Sequence, residues 1–160
     1  METSVKHTAP LSSAIKGVLI RPLRRHIDSR GWLTELFRDD ELPDGFRPAM
    51  GYVSVTHPGV ARGPHEHAGQ TDCFCFLSGT FEVLLWENRE GRPGLHERHV
   101  VGEENPAWVL VPPGVVHAYR NVGASDAYVL NFPDRLYAGW GRREPVDEIR
   151  HEEIDSEFKV

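Results

Sequence analysis

A chain of 160 residues with 39% hydrophobic and 26% charged side chains can fill one core, and this balance excludes a disordered polymer. Apolar runs such as residues 107–111 and 81–86 are too short to span a bilayer, and a net charge of −6 without a Lys/Arg stripe excludes non-specific nucleic-acid binding. Residues 1–10 carry Glu2, Lys6 and His7 and no apolar segment. They do not read as a secretion signal, so a cytoplasmic protein is expected.

In chain order, residues 1–15 read as an N-terminal arm. Short β-rich runs follow at 18–23, 32–37, 51–56, 72–77, 81–86, 95–101, 107–111, 116–121 and 127–132. Turn clusters separate them: Ser29-Arg30-Gly31, His57-Pro58-Gly59, Ser78-Gly79, Pro112-Pro113-Gly114 and Gly123-Ala124-Ser125-Asp126. Many short strands at this spacing predict a single all-β sandwich or barrel over 1–160. The charged stretch 143–160 reads as a tail, either a short helix packed outside the barrel or an extended surface segment. Cys73 and Cys75 lie two apart in one predicted strand, near the upper limit for bridging, and read as reduced packing residues.

The strongest local signal is Gly59-Val60-Ala61-Arg62-Gly63-Pro64-His65-Glu66-His67, followed by Asp72 and Gly79. Later come Pro112-Pro113-Gly114-Val115-Val116-His117 and Asn121. Positions two apart on a strand share a face, so His65 and His67 can converge. Asp72 can return to the same point after a turn at Ala68-Gly69, and the Pro-Pro-Gly turn launches His117 from a distant strand. Three imidazoles and a carboxylate are a competent shell for a divalent metal: Fe, Mn, Ni or Zn. His7, His26, His57, His96, His99 and His151 lack such partners and read as surface residues.

These spacings resemble the two motifs of the cupins, whose fold is a double-stranded β-helix, or jelly-roll, barrel. Gly59, His65, His67, Asp72 and Gly79 match the first motif, with Asp72 in place of its glutamate. Pro112, Gly114, His117 and Asn121 match the second, with Pro106 in place of its opening glycine. More specifically, Asp28-Ser29-Arg30-Gly31-Trp32-Leu33-Thr34-Glu35, Arg62-Gly63-Pro64-His65, Pro113-Gly114-Val115-Val116-His117 and Pro133-Asp134-Arg135-Leu136-Tyr137 resemble the dTDP-4-dehydrorhamnose 3,5-epimerase family, in matching order from about residue 17 to 137. The resemblance implies a cofactor-free epimerase working as a homodimer on a dTDP-4-keto-6-deoxy sugar. His65 would be the base and Tyr137 the acid. Arg62 would grip the diphosphate, Arg30 and Glu35 the nucleotide, and His117 and Gln70 would sit near the sugar. Protons beside a ketone are acidified by enolate delocalisation, which suits a histidine base.

The chain departs from that family at four points. The family has a lysine where Asp72 stands, an aromatic at Leu33, a polar amide at His67, and an orienting aspartate in a longer C-terminal region. Two mutually exclusive arrangements would compensate. Either Asp72 orients His65 as the base, or His65, His67, Asp72 and His117 bind a metal that supplies the missing positive charge. The second arrangement is also that of a metal-dependent cupin dioxygenase or isomerase, and a barrel that only binds carbohydrate is a third reading.

Overall fold

In the computed structural model, residues 12–160 are described; His7 and the other residues of 1–11 fall outside them. Two five-stranded antiparallel sheets face each other. One runs in the order β1 (Leu19–Pro22), β9 (Ala107–Val111), β6 (Asp72–Phe76), β11 (Ala127–Asn131), β4 (Tyr52–Thr56). The other runs β12 (Ile149–Arg150), β5 (Ala61–Glu66), β10 (Val115–Asn121), β7 (Thr80–Glu87), β8 (His96–Gly102). A separate hairpin joins β2 (His26–Asp28) to β3 (Gly31–Leu33). The fold is the expected cupin jelly roll, and among the described residues no helix is long and apolar enough to cross a membrane.

Strand alternation divides the apolar residues into three layers. Phe74, Phe76, Val109, Val111 and Val129 of the first sheet meet Phe81, Val83, Leu85, Val115 and Tyr119 of the second between the sheets. Cys73 and Cys75, both free, point the other way, where they pack with Trp108, Leu110, Leu23 and Phe46. On the far side of the second sheet, Leu84, Trp86, Val116 and Ala118 are covered by Phe158 and Val160 of the tail. Burial on both faces is why β6 and β9 read as continuous apolar runs rather than alternating ones.

Three expectations change. The run 32–37 is a strand only to Leu33, because its hairpin has no third strand beside it; Ile27 is 80% exposed. The N-terminal arm ends before Ile15, which is 1% exposed and belongs to the central core. The C-terminal stretch is largely exposed and extended, with one short 3-10 helix at His151–Glu153, but it is not a free tail: Ile149 and Arg150 pair with Glu66 and His65, extending the second sheet beyond β5.

Asn121, at the end of β10, is fully buried. Its Nδ2 donates to Thr56 O and Ser125 O, both at 2.8 Å, and its Oδ1 accepts from Gly123 N at 2.9 Å. Asn121→Ala leaves these backbone groups without partners, and denaturant unfolding should show a loss of about 3 kcal/mol.

Candidate functional site

β5 turns His65 towards the space between the sheets and Glu66 away from it, and His67, the residue after the strand, returns to the His65 side. His117 lies directly opposite His65 in register across β5 and β10, with ring centroids 4.4 Å apart. Gly63 lets the strands approach: at φ +83°, a Cβ there would sit 2.6 Å from His117 O. Asp72 arrives from the opposing sheet, at the start of β6. The structure thus brings together the four predicted ligands, and one donor atom from each lies within 4.8 Å of the others.

Asp72, 1% exposed, is the hub. Its Oδ2 lies 2.9 Å from His67 Nε2 and 3.1 Å from His117 Nε2. Its Oδ1 accepts from Gln70 Nε2 at 3.0 Å and from Asn131 Nδ2 at 2.9 Å. Burial favours the neutral acid, but His117, His67 and their charges hold the carboxyl well below the usual range. Among the described residues Asp72 makes no hydrogen bond to His65. Its oxygens face His67, His117, Gln70 and Asn131, so of the two compensating arrangements the hydrogen bond from His65 to Asp72 is not formed. The nearest carboxylate to His65 is Glu148, whose Oε1 is 4.0 Å from His65 Nδ1.

The imidazoles are held by their outer nitrogens. His117 Nδ1 donates to Val115 O at 3.0 Å, and His67 Nδ1 donates to Asp147 O. Each Nε2 therefore faces Asp72. For His67, burial opposes protonation, but the Asp72 hydrogen bond and charge outweigh it and raise its pKa to about 9. For His65, burial and the neighbouring His117 push the pKa down to about 2, so it is neutral. His117 Nε2 is buried and, although 3.1 Å from Asp72 Oδ2, makes no aligned hydrogen bond among the described residues.

His65 and His67 line a cleft of about 1000 Å³ together with Arg62, Gln70 and Tyr137 among the predicted residues, whereas Asp72 and His117 are buried behind them and do not line it. Arg62 is held by Thr56 Oγ1 at 3.1 Å and Val55 O at 2.7 Å. Arg30 and Glu35 do not line this cleft. Arg30 pairs with Asp28 at the hairpin tip, and Glu35 pairs with Arg38 beside a smaller cavity of about 190 Å³.

Several cleft residues went unread in the sequence: Tyr52, Arg135, Trp140, Arg142, Asp147, Glu148 and Arg150. Asp147 accepts from the backbone N–H groups of Ala68, Gly69 and Gln70 at 2.7, 2.8 and 2.9 Å. Beneath the cleft, Asn131 links Asp72 to the Tyr52 hydroxyl. His151, read as a surface residue, is buried against Glu66, because β12 carries it onto the outer face of the second sheet. The only sequence signal for this group was a carboxylate pair following Pro145.

Residues 26–140 match the polysaccharide biosynthesis C-terminal domain family. The chain belongs to this family. A probable low-salt glycan biosynthesis epimerase of Haloferax volcanii is 35% identical over 126 residues, 77% of this chain and 81% of that protein. The spore coat polysaccharide biosynthesis protein SpsL of Bacillus subtilis is 37% identical over the same length, 77% of this chain and 82% of its own. Among solved structures, ChmJ, a 3'-monoepimerase from Streptomyces bikiniensis in complex with dTDP-quinovose, superposes with a TM-score of 0.76 at 25% identity, covering 89% of this chain and 72% of that one. The dTDP-6-deoxy-D-glucose-3,5-epimerase of Legionella pneumophila has the same fold, with a TM-score of 0.75 at 21% identity over 88% of this chain and 75% of that one. The chain thus shares its fold with sugar epimerases of known structure.

The opposed shifts of His65 and His67 set a pH optimum for stability. His65 binds its proton more weakly folded than unfolded, so its contribution is present above about pH 6.5 and is lost as pH falls towards 2. His67 binds more tightly folded, so its contribution is complete below about pH 6.5 and is lost as pH rises through 9. Denaturant unfolding of the metal-free protein should show maximal stability near pH 6.5, and His67→Asn should abolish the decline on the alkaline side.

Proposed function

We propose that the protein is a carbohydrate epimerase or isomerase that acts on a dTDP-4-keto-6-deoxy sugar by removing a proton next to the ketone. The observation that carries this reading is a neutral imidazole, His65, at the floor of a cleft large enough for a nucleotide sugar, with a charged imidazole beside it. A base must be unprotonated to act, and His65 is. Its basicity is low while the cleft holds no anion; a substrate diphosphate above it and Glu148 on its Nδ1 side both favour the imidazolium that forms on proton abstraction. The developing enolate needs positive charge, which the lysine supplies in the related epimerases. Here Asp72 stands at that position, and its buried charge keeps His67 protonated, so His67 supplies the cation instead.

Tyr137, 55% exposed at the cleft wall, returns the proton from the opposite face. Arg62, Arg135 and Arg142 face the diphosphate. Gln70 borders the sugar, and His117, packed behind His65 and outside the cleft lining, acts through that ring. Arg30 and Glu35 lie away from their own cleft and act on the nucleotide only from a neighbouring subunit. The homodimer this requires would use the exposed edge of β4, where Val53 and Val55 are uncovered, and sedimentation as a monomer would remove it. The whole chain acts as one cytoplasmic catalytic domain.

A second reading has one observation in its favour. The buried Nε2 of His117, which faces Asp72 without an aligned hydrogen bond, together with the Nδ1 protons of His67 and His117 committed to carbonyl oxygens, is the donor arrangement of a cation site. His65, His67, Asp72 and His117 would hold Fe, Mn, Ni or Zn. Such an ion would polarise a ketone oxygen, and His65, as a ligand, would then not be the base.

Incubation with dTDP-4-keto-6-deoxyglucose in deuterium oxide should label C3, C5 or both. His65→Ala should slow labelling by about 10²- to 10⁴-fold, and Arg62→Ala should chiefly raise KM. Absence of label with folded protein would exclude the epimerase. Elemental analysis of protein purified without added metal separates the two readings. Stoichiometric metal that disappears in His67→Ala supports the ion site, whereas active protein free of metal excludes it.

A further inference from the structure

Glu66 sits between two site histidines on β5 but points to the outer face of the sheet, where it is 7% exposed. There its Oε1 lies 2.9 Å from His151 Nε2 and accepts from Asn88 Nδ2 at 2.8 Å. The other nitrogen of His151 meets Ser156 Oγ at 3.0 Å. The His151 ring packs edge-on against Phe158, which in turn lies against Trp86. This buried cluster is outside the cleft and has no part in the proton-transfer chemistry.

The cluster lies three residues from Glu148 in the chain. Between them Ile149 and Arg150 form β12, which pairs with Glu66 and His65 at only two positions. On the inner side of that crossing, Asp147 holds the 68–70 loop and accepts from His67 Nδ1, and Glu148 flanks His65. The tail thus wraps around the free edge of β5, with its working carboxylates inside and its fastening outside. A two-residue strand cannot fix side-chain positions by its own ladder. Glu148 is also paired with Arg150, which lines the same cleft and whose Nε lies 2.7 Å from Glu148 Oε2.

We infer that His151 and Glu66 are positioning residues: their buried pair fastens the tail so that Asp147 and Glu148 are held against the site imidazoles. The catalytic part of this inference rests on the epimerase reading, but the structural part does not.

Two measurements on the full chain test it. The first is hydrogen exchange of the Ala68, Gly69 and Gln70 amides, which Asp147 caps. The second is kcat and KM for solvent labelling of the keto sugar. His151→Ala should speed exchange at these three amides by about tenfold or more while the strands of both sheets stay protected. It should also lower kcat by about tenfold with KM within about twofold, since orientation and not binding is lost. His151→Gln, whose amide can still donate to Glu66, should recover most of both. In a Glu148→Gln background, His151→Ala should lower kcat by a smaller factor than in the wild type, because part of what the fastening secures is already lost. Unchanged amide exchange in His151→Ala would overturn the inference, as would loss of protection throughout the sheets or fully multiplicative kcat losses in the double variant. If the wild-type protein labels no substrate, the epimerase reading fails, and the amide measurement alone decides the fastening.

Discussion

An ionised carboxylate shut away from water must be neutralised where it lies, and Asp72 is such a group. It stands on one sheet and faces three imidazoles carried by the other, so the contact across the barrel mouth is electrostatic where the rest of the interior is apolar. Its demand for donors organises what surrounds it. Gln70 and Asn131 serve one oxygen, His67 and His117 face the other, and the carbonyls of Asp147 and Val115 lock the far sides of those two rings. Replacing any member changes the charge that the others face.

This arrangement suits either of the two chemistries proposed above. A buried carboxylate with inward-facing imidazole nitrogens holds either protons or a divalent cation, since both satisfy the same excess of lone pairs. With a proton, the cluster is an imidazolium–carboxylate pair beside a neutral histidine, suited to enolate chemistry. With a cation, the same nitrogens become ligands and the neutral histidine is no longer a base. The family relationship to glycan-biosynthesis epimerases and the size of the cleft weigh toward the proton.

The tail gives the site its remaining carboxylates by a route that crosses the sheet edge. Covering the open side of β5 removes an exposed backbone ladder and delivers Asp147 and Glu148 in the same step. Placement of these groups depends on packing on the other face of the sheet, so a change in a residue that never meets substrate can reach the imidazoles through a single turn of chain.

Much of this was legible in the amino-acid order alone. The two-residue spacing of His65 and His67, the return at Asp72 and the turn before His117 follow from strand periodicity, and a strand has only two faces to offer. Turn residues at short intervals determined the all-β class for the same local reason. What the tertiary structure decided was of another kind. Asp147, Glu148 and His151 sit in a charged stretch whose composition matches any solvated surface, and their partners lie some eighty residues away. The separation of Arg30 and Glu35 from the cleft likewise depends on where a hairpin projects. Local periodicity fixes which side of a strand a residue takes, but only long-range pairing between strands determines what that side faces.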